Sequence, residues 1–216
     1  MPVRVVCMGD SITVGQFISP TQRWTTLLER SLQESLGTES VEVLNQGLNG
    51  ETTRGGLERF PVAVQALEPA ILTLQYGMND CNCWQSDKGA HRVSIEAFTA
   101  NLLEMVDRSR RFGVGDVILI TNPRSLRQAR MVNGELYEEA NARYSQAMRE
   151  VAVKAEVTLC DVRAAFSDLT PEQLEPLLLP PPDCLHLTER GHVKYAEIVL
   201  PYVQAALPSA TATVPS

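Results

Sequence analysis

Four short segments of this chain hold residue types that together can transfer an acyl group. Gly9-Asp10-Ser11-Ile12 sets a serine directly after the apolar run Val3 to Met8, while Asn45 to Gly50 and Gly77-Met78-Asn79-Asp80 each follow a further apolar run. Asp183-Cys184-Leu185-His186 sets a carboxylate three residues before an imidazole. Acyl transfer needs a nucleophile, a base to take its proton, an acid to hold that base, and donors aimed at the developing oxyanion. Ser11 is the candidate nucleophile. His186 is the candidate base, with Asp183 accepting from Nδ1 so that Nε2 stays free for Ser11. The N–H groups of Ser11 and Gly47 and the side-chain amide of Asn79 are the candidate oxyanion donors. Each segment also has a plainer reading: a helix cap at Ser11, glycine turns at Gly47 and Gly50, an Asx-turn at Asn79, an interior histidine at 186. Their joint order along the chain is what favours chemistry.

The remaining candidates surround these four. Asp10 and Asp80 read as residues that fix their own loops through backbone hydrogen bonds, and Asp10, Asn49, Met78 and Trp84 are the candidate substrate contacts. Trp84 lies in a segment, Cys81 to Arg92, that follows the third block and is expected to wall the acyl site, with Leu177 to Leu179 and the prolines before Asp183 as a second wall. His91 reads as an exposed loop residue and His192 as a surface or packing residue one turn into the last helix.

Positioning these residues requires strand ends. Val3 to Met8, Val41 to Leu44, Ala70 to Tyr76, Asp116 to Thr121 and Val157 to Cys160 carry buried-strand signatures. Between them, helical stripes run through Trp24, Leu27, Leu28 and Leu32, through Ile95, Phe98, Leu102 and Met105 behind a Ser94 cap, and through Leu136, Ala140, Tyr144, Ala147 and Val151. A last helix begins near Thr188, with Pro201 expected to kink or shorten it. Such alternation predicts an α/β fold: a three-layer α/β/α sandwich around a parallel sheet of about five strands. Ligands bind outside the carboxyl ends of such strands, so the first three loops should converge there. Residues 1–207 are expected to form one domain, with 208–216 a flexible tail.

Composition narrows the partners. The chain has 216 residues, with 19 Lys plus Arg against 26 Asp plus Glu and a net charge of −7. With no basic block, nucleic acid and anionic membranes are not expected partners. No segment approaches the length of a membrane span. Five scattered cysteines, an odd number, fit free thiols rather than a disulfide framework. Cys81-Asn82-Cys83 lacks a second pair at zinc spacing, and the three histidines are dispersed, so neither metal nor cofactor is expected. Without a signal-peptide pattern the expected location is cytoplasmic, or secreted if a leader has been removed.

The four blocks in this order resemble the SGNH hydrolase superfamily, the GDSL-type esterases and lipases. Gly9-Asp10-Ser11 is similar to its first block, Asn45 to Gly50 with Gly47 to its second, Gly77 to Asp80 with Asn79 to its third, and Asp183 with His186 to its last. The resemblance implies a flavodoxin-like sandwich, Ser11 as nucleophile, Gly47 and Asn79 as oxyanion donors, and His186 as base supported by Asp183. Ile12 replaces the more frequent Leu, and Asn49 stands where a small residue is common. The chemistry expected is hydrolysis of a small-molecule carboxylic ester through an acyl-enzyme on Ser11, and acidic composition favours a small or medium acyl group, acetyl among them. An acyltransferase or thioesterase using the same acyl-enzyme is the alternative, and a non-catalytic binding module on this scaffold the second. No Gly-x-Ser-x-Gly elbow occurs for the standard α/β-hydrolase reading, and no Gly-Lys-Ser/Thr ending for a phosphate loop.

Overall fold

The structure, a computed structural model, describes residues 2–37 and 40–207. The tail expected at 208–216 therefore lies outside the described residues. Strands β1 (Val3–Gly9), β2 (Val41–Gly47), β3 (Ile71–Gln75), β4 (Asp116–Ile120) and β5 (Thr158–Cys160) form one parallel sheet in the order β2-β1-β3-β4-β5. Helices α1 (Ser11–Val14), α2 (Trp24–Leu36), α3 (Thr53–Ala63), α4 (Ile95–Arg111), α5 (Tyr137–Ala155), α6 (Val162–Ser167), α7 (Pro171–Leu174) and α8 (Glu189–Ala206) connect and flank them. Helices α2 and α8 pack together as one layer and α3, α4 and α5 as the other. This is the three-layer sandwich that the alternation predicts.

Parallel strands covered on both faces need continuous apolar runs rather than alternation. Accordingly all of β3 and residues 5 to 9 of β1 are buried. The edge strand β2 is covered by side chains of α2: Val43 N–H donates to Glu29 Oε1 at 2.9 Å, and Gln33 Nε2 donates to Val41 O at 2.9 Å. Those bonds satisfy backbone groups that would otherwise offer a template for another strand.

Two helices depart from expectation. Helix α3 was not signalled by its sequence, since Gly55, Gly56 and Pro61 lie within it and each lowers helix propensity. Tertiary contact explains the glycine: a Cβ on Gly56 would lie 2.6 Å from the Tyr76 hydroxyl and 2.9 Å from Met105. Helix α8, by contrast, runs through Pro201 to Ala206 instead of shortening there. Its buried stripe of Tyr195, Val199 and Val203 continues across the proline, and that burial outweighs one lost backbone hydrogen bond.

The strand order reverses between β1 and β3, the topological switch point of a 2-1-3-4-5 sheet, where a crevice opens outside the carboxyl ends. Gly9, the last residue of β1, is in register with Gly47 of β2 and Gln75 of β3. Three of the four chemical segments thus leave the sheet side by side.

Candidate active site

Ser11 opens α1, and its placement depends on both residues before it. A Cβ on Gly9 would meet Thr13 Oγ1 at 2.3 Å and Gln75 O at 2.5 Å, so only glycine lets the chain turn against β3. Asp10 caps the turn by accepting the Ile12 N–H at 3.0 Å. As a first-turn residue Ser11 has no intrahelical acceptor for its own N–H, while its carbonyl receives the N–H groups of Gly15 and Gln16, both at 3.1 Å.

The last segment reaches Ser11 from the loop before α8. Ser11 Oγ lies 2.9 Å from His186 Nε2, and His186 Nδ1 lies 2.7 Å from Asp183 Oδ2. Asp183 Oδ1 also accepts the N–H groups of His186 at 2.7 Å and Leu185 at 2.9 Å. Partial burial pushes the Asp183 carboxyl up, but these N–H donors and the imidazole pull it down further, and it lies below the usual carboxylate range. An ionised Asp183 selects the tautomer with the proton on Nδ1, an assignment made from the bonding pattern, which leaves Nε2 to accept the Ser11 hydroxyl proton. The loop is held by Leu179 N–H on His186 O at 2.7 Å, Leu126 N–H on Cys184 O at 2.9 Å, and Arg127 Nε on Asp183 O at 3.2 Å.

Asn79 joins the same crevice from β3. Its Nδ2 donates to Asp10 Oδ2 at 3.3 Å, which uses one amide hydrogen and leaves the second. Asp10 itself is fully buried, so the expected substrate contact is corrected: it holds Asn79 and α1 instead. Burial pushes its carboxyl up to about 7, against the pull of the Ile12 N–H and the Gln75 amide and with a push from the nearby carboxylates. Met78 is likewise buried, its carbonyl accepting from the Tyr137 hydroxyl at 3.0 Å, and is corrected to a core residue. Asp80 behaves as a loop anchor, accepting the Thr53 N–H at 2.9 Å and hydroxyl at 2.5 Å, and burial pushes it up to about 6.

The second block requires the main correction. Gly47 N–H donates to Asn45 Oδ1 at 3.0 Å, so it is not free to meet an oxyanion. Gly47 is glycine for another reason: a Cβ there would lie 2.3 Å from Val14 N, inside the backbone of α1. Asn45 also donates to Thr13 O at 2.7 Å and to Thr25 Oγ1 at 2.9 Å, tying β2, α1 and α2 together. Three residues on, Gly50 is exposed with φ +74°, its N–H bonded to no acceptor among the described residues and its carbonyl taking Arg92 Nη1 at 3.0 Å. Beside it, Glu51 is buried in a bidentate pair with Arg59, at 2.5 Å for each bond, and accepts the Tyr76 hydroxyl at 2.7 Å. Sequence reading gave Gly50 only a turn and missed Glu51; a Gly-Glu step before a Thr cap was the available signal, since buried acids need partners that spacing does not reveal.

Of the outer candidates, Asn49 is exposed beside Gly50, and Trp84 is about half exposed with the Arg92 guanidinium 4.1 Å over its ring. Leu178 is buried and bridges to Leu187, so that part of the second wall belongs to the core. His91 is pinned, with Nδ1 on Cys81 O at 2.7 Å and Nε2 receiving Arg143 at 3.1 Å. His192 is buried, and its Nδ1 accepts the Trp24 N–H at 3.2 Å. Phe17, absent from the sequence reading, stands edge-on to the His186 ring with centroids 5.4 Å apart. A cleft of about 370 Å³ lined by Asp116, Thr158, Pro201 and Tyr202 lies at the amino ends of β4 and β5, the opposite edge of the sheet. Among the described residues no helix is long and apolar enough to cross a membrane, and no cluster of three or more His, Cys, Asp or Glu is placed to hold a metal ion.

A hydroxyl, an imidazole and an ionised carboxylate joined in this way can activate a serine for attack on a carbonyl. The chain is 29% identical over 124 residues to an uncharacterized lipoprotein, YqeF, of Bacillus subtilis, covering 55% of this chain and 48% of that one. It is 26% identical over 115 residues to the esterase TesA of Pseudomonas aeruginosa, covering 53% of this chain and 52% of that one. The chain thus matches about half the length of these curated relatives. Its fold is that of a lipase/acylhydrolase from Enterococcus faecalis, with TM-score 0.77, 24% identity and coverage of 98% of this chain and 100% of that one. An acetylxylan esterase from Geobacillus stearothermophilus shares the fold at TM-score 0.72 and 20% identity, covering 97% and 98%. The GDSL-like lipase/acylhydrolase model matches residues 7–194, most of the chain and all four blocks, and the protein belongs to that family.

Proposed function

We propose that this protein is a carboxylic-ester hydrolase that works through an acyl-enzyme on Ser11. The observation that carries the reading is the bonded chain from Ser11 Oγ to His186 Nε2 at 2.9 Å and from His186 Nδ1 to Asp183 at 2.7 Å. Ser11 Oγ attacks the ester carbonyl as His186 takes its proton, and the tetrahedral oxyanion is met by the Ser11 N–H, the second amide hydrogen of Asn79 and the Gly50 N–H. In this reading Gly50 takes the role first given to Gly47. His186 then hands its proton to the leaving alcohol, the carbon–oxygen bond breaks, and water activated by the same imidazole releases the acid. The names of the acetylxylan esterases that share the fold support a short acyl group, acetyl first among them.

Ser11→Ala tests the assignment directly. Hydrolysis of an activated acetyl ester should fall by roughly 10³ or more in kcat while the circular dichroism spectrum is unchanged. A phosphonate ester should label Ser11 alone, read as a mass increment on its peptide. Near-normal turnover by a folded Ser11→Ala protein sinks the reading, and absence of label with full folding favours a non-catalytic binding module. A series of esters with growing acyl chains should peak at two carbons; a maximum at long chains overturns the acetyl preference.

A further inference from the structure

Phe17 has three properties that seldom coincide. It is a bulky residue with φ +70°, a left-handed backbone that L side chains other than Asn and Asp rarely adopt. Its ring is 67% exposed although it is among the largest apolar side chains. And it stands edge-on to His186, the imidazole bonded to Ser11, with centroids 5.4 Å apart at an interplanar angle of 89°. Of the other exposed large apolar residues, Val62, Phe112 and Val153 lie on helices or at their ends and Leu48, Trp84 and Val132 on loops, and none of these has a positive φ.

The loop that holds Phe17 is constructed to keep it there. Gly15 ends α1 in a left-handed conformation with φ +72°, and Ile18 N–H returns to Gly15 O at 3.1 Å, which closes a turn around Gln16 and Phe17. Arg23 lies over Gly15 and donates from Nε to Ile18 O at 3.3 Å, bracing the far side. Backbone strain at a functional site persists when the surroundings over-determine it, and here they do.

We propose that Phe17 is a specificity-determining residue that contacts the leaving group and selects esters of aromatic alcohols over esters of small alkyl alcohols. The inference rests on the esterase reading above and follows from where a proton must go. In acylation the Ser11 Oγ–carbon bond forms and the bond from that carbon to the leaving oxygen breaks. The proton taken from Ser11 passes from His186 Nε2 to the leaving oxygen, which must therefore stand within hydrogen-bond distance of Nε2. Whatever is attached to that oxygen departs beside the imidazole, where the exposed Phe17 ring offers an apolar surface. An aromatic leaving group gains an offset or edge contact there, and an ethyl group gains little.

The test compares phenyl acetate with ethyl acetate, which share an acyl-enzyme, using kcat/KM so that only binding and acylation are read. Phe17→Ala should lower the phenyl-to-ethyl ratio of kcat/KM about tenfold, with the loss concentrated in KM for phenyl acetate, and Phe17→Leu should lower it less. Phe17→Gly should lose the same discrimination yet melt at or above the wild-type temperature, because glycine adopts φ +70° freely. The ratio of phenyl acetate to phenyl butyrate should hold constant across these variants. If Phe17→Ala slows phenyl and ethyl acetate equally, Phe17 merely supports His186 and the proposal is overturned; a shift in acyl-chain preference instead of leaving-group preference overturns it too. Wild-type protein that hydrolyses neither ester, or does so undiminished in Ser11→Ala, overturns the esterase reading itself and this one with it.

Discussion

Asp183 and Asp10 each hold a polar side chain, His186 and Asn79, and their surroundings drive them in opposite directions. Asp183, partly exposed on the loop before α8, accepts two backbone N–H groups and an imidazole and is held below the usual carboxylate range. Asp10, fully buried between β1 and β3, accepts from Ile12 and Asn79 and is pushed up to about 7. Donor supply accounts for the difference: convergent N–H groups replace water around Asp183, whereas burial around Asp10 removes more solvation than its partners return. The partners follow suit. His186 needs a fixed negative charge beside it, and Asn79 needs an oriented acceptor, for which charge is secondary.

Removing the charge from Asp183 should have the largest effect. Asp183→Asn can still accept one N–H but presents an amide to His186 Nδ1, which favours the tautomer with the proton on Nε2 and so blocks acceptance from Ser11. A fall in kcat of roughly 10³ to 10⁴ is expected, with KM for phenyl acetate little changed. A decrease of less than tenfold would show that the carboxylate is dispensable and would erase the contrast with Asp10.

Asp10→Asn should be milder in activity and visible in stability. One amide oxygen can keep the Ile12 bond, but the other position then sets an NH₂ against Asn79 Nδ2, and the Asn79 amide loses its orientation. Loss of one oriented oxyanion donor predicts a decrease in kcat of about 10². The pH dependence has a definite sign. Because the folded carboxyl titrates near 7 and the unfolded one near 4, the folded state binds more protons in that interval, so this group's contribution is full below about pH 4 and is lost as pH rises through about 7. Asp10→Asn should flatten that decline, measured as midpoints of urea unfolding between pH 4 and pH 8. An unaltered slope would place the titration elsewhere.

How much of this was written in the sequence depends on which atoms act. The roles proposed for Ser11, Asp183 and His186 belong to side chains, and residue type plus position at a strand end or before a helix was enough to single them out. The sheet was legible for a similar reason, since five buried runs of apolar residues have few alternatives. The second block was harder. The contribution proposed for it is a backbone N–H, which every residue but proline possesses, and the difference between Gly47 and Gly50 lies in an Asn45 side-chain bond that spacing does not encode. Helix α3 was hidden because contact between Gly56 and Tyr76 required a poor helix former. Phe17 escaped because its importance comes from a φ angle and a neighbour 169 positions away.

The two glycines give a sharper version of the same comparison. Gly47→Ala forces a methyl into the backbone of α1, 2.3 Å from Val14 N, and should reduce folding yield and melting temperature markedly. Gly50→Ala meets open space and carries only the cost of φ +74°, on the order of 1 kcal/mol, so it should fold. Its activity should drop by about tenfold as strain shifts the N–H. A well-folded Gly47→Ala with activity below that of Gly50→Ala would return the donor role to Gly47.

The smallest effect is expected at His192, which reverses the sign found for Asp10. Its ring is buried with Nδ1 accepting the Trp24 N–H, and burial, followed by the charges of Arg23 and His186, pushes it down to about 4. The unfolded state therefore binds the extra proton between about pH 6.5 and pH 4, so the contribution of a neutral His192 is full above about 6.5 and disappears as pH falls through about 4. Asp10 and Asp80, pushed up to about 7 and about 6, work in the opposite direction across the same interval, so His192 offsets one of the two carboxyl slopes and the wild-type stability profile should decline gently there. His192→Asn keeps an acceptor for Trp24 without a titrating ring. It should expose both carboxyl slopes, giving unfolding midpoints that fall more steeply from pH 4 to pH 7 than in the wild type, while the double variant with Asp10→Asn should return to the gentler slope that Asp80 alone supplies. A flat profile in the single His192→Asn variant would mean that neither buried carboxyl titrates in this range, and the opposition between Asp10 and Asp183 would reduce to a difference in exposure.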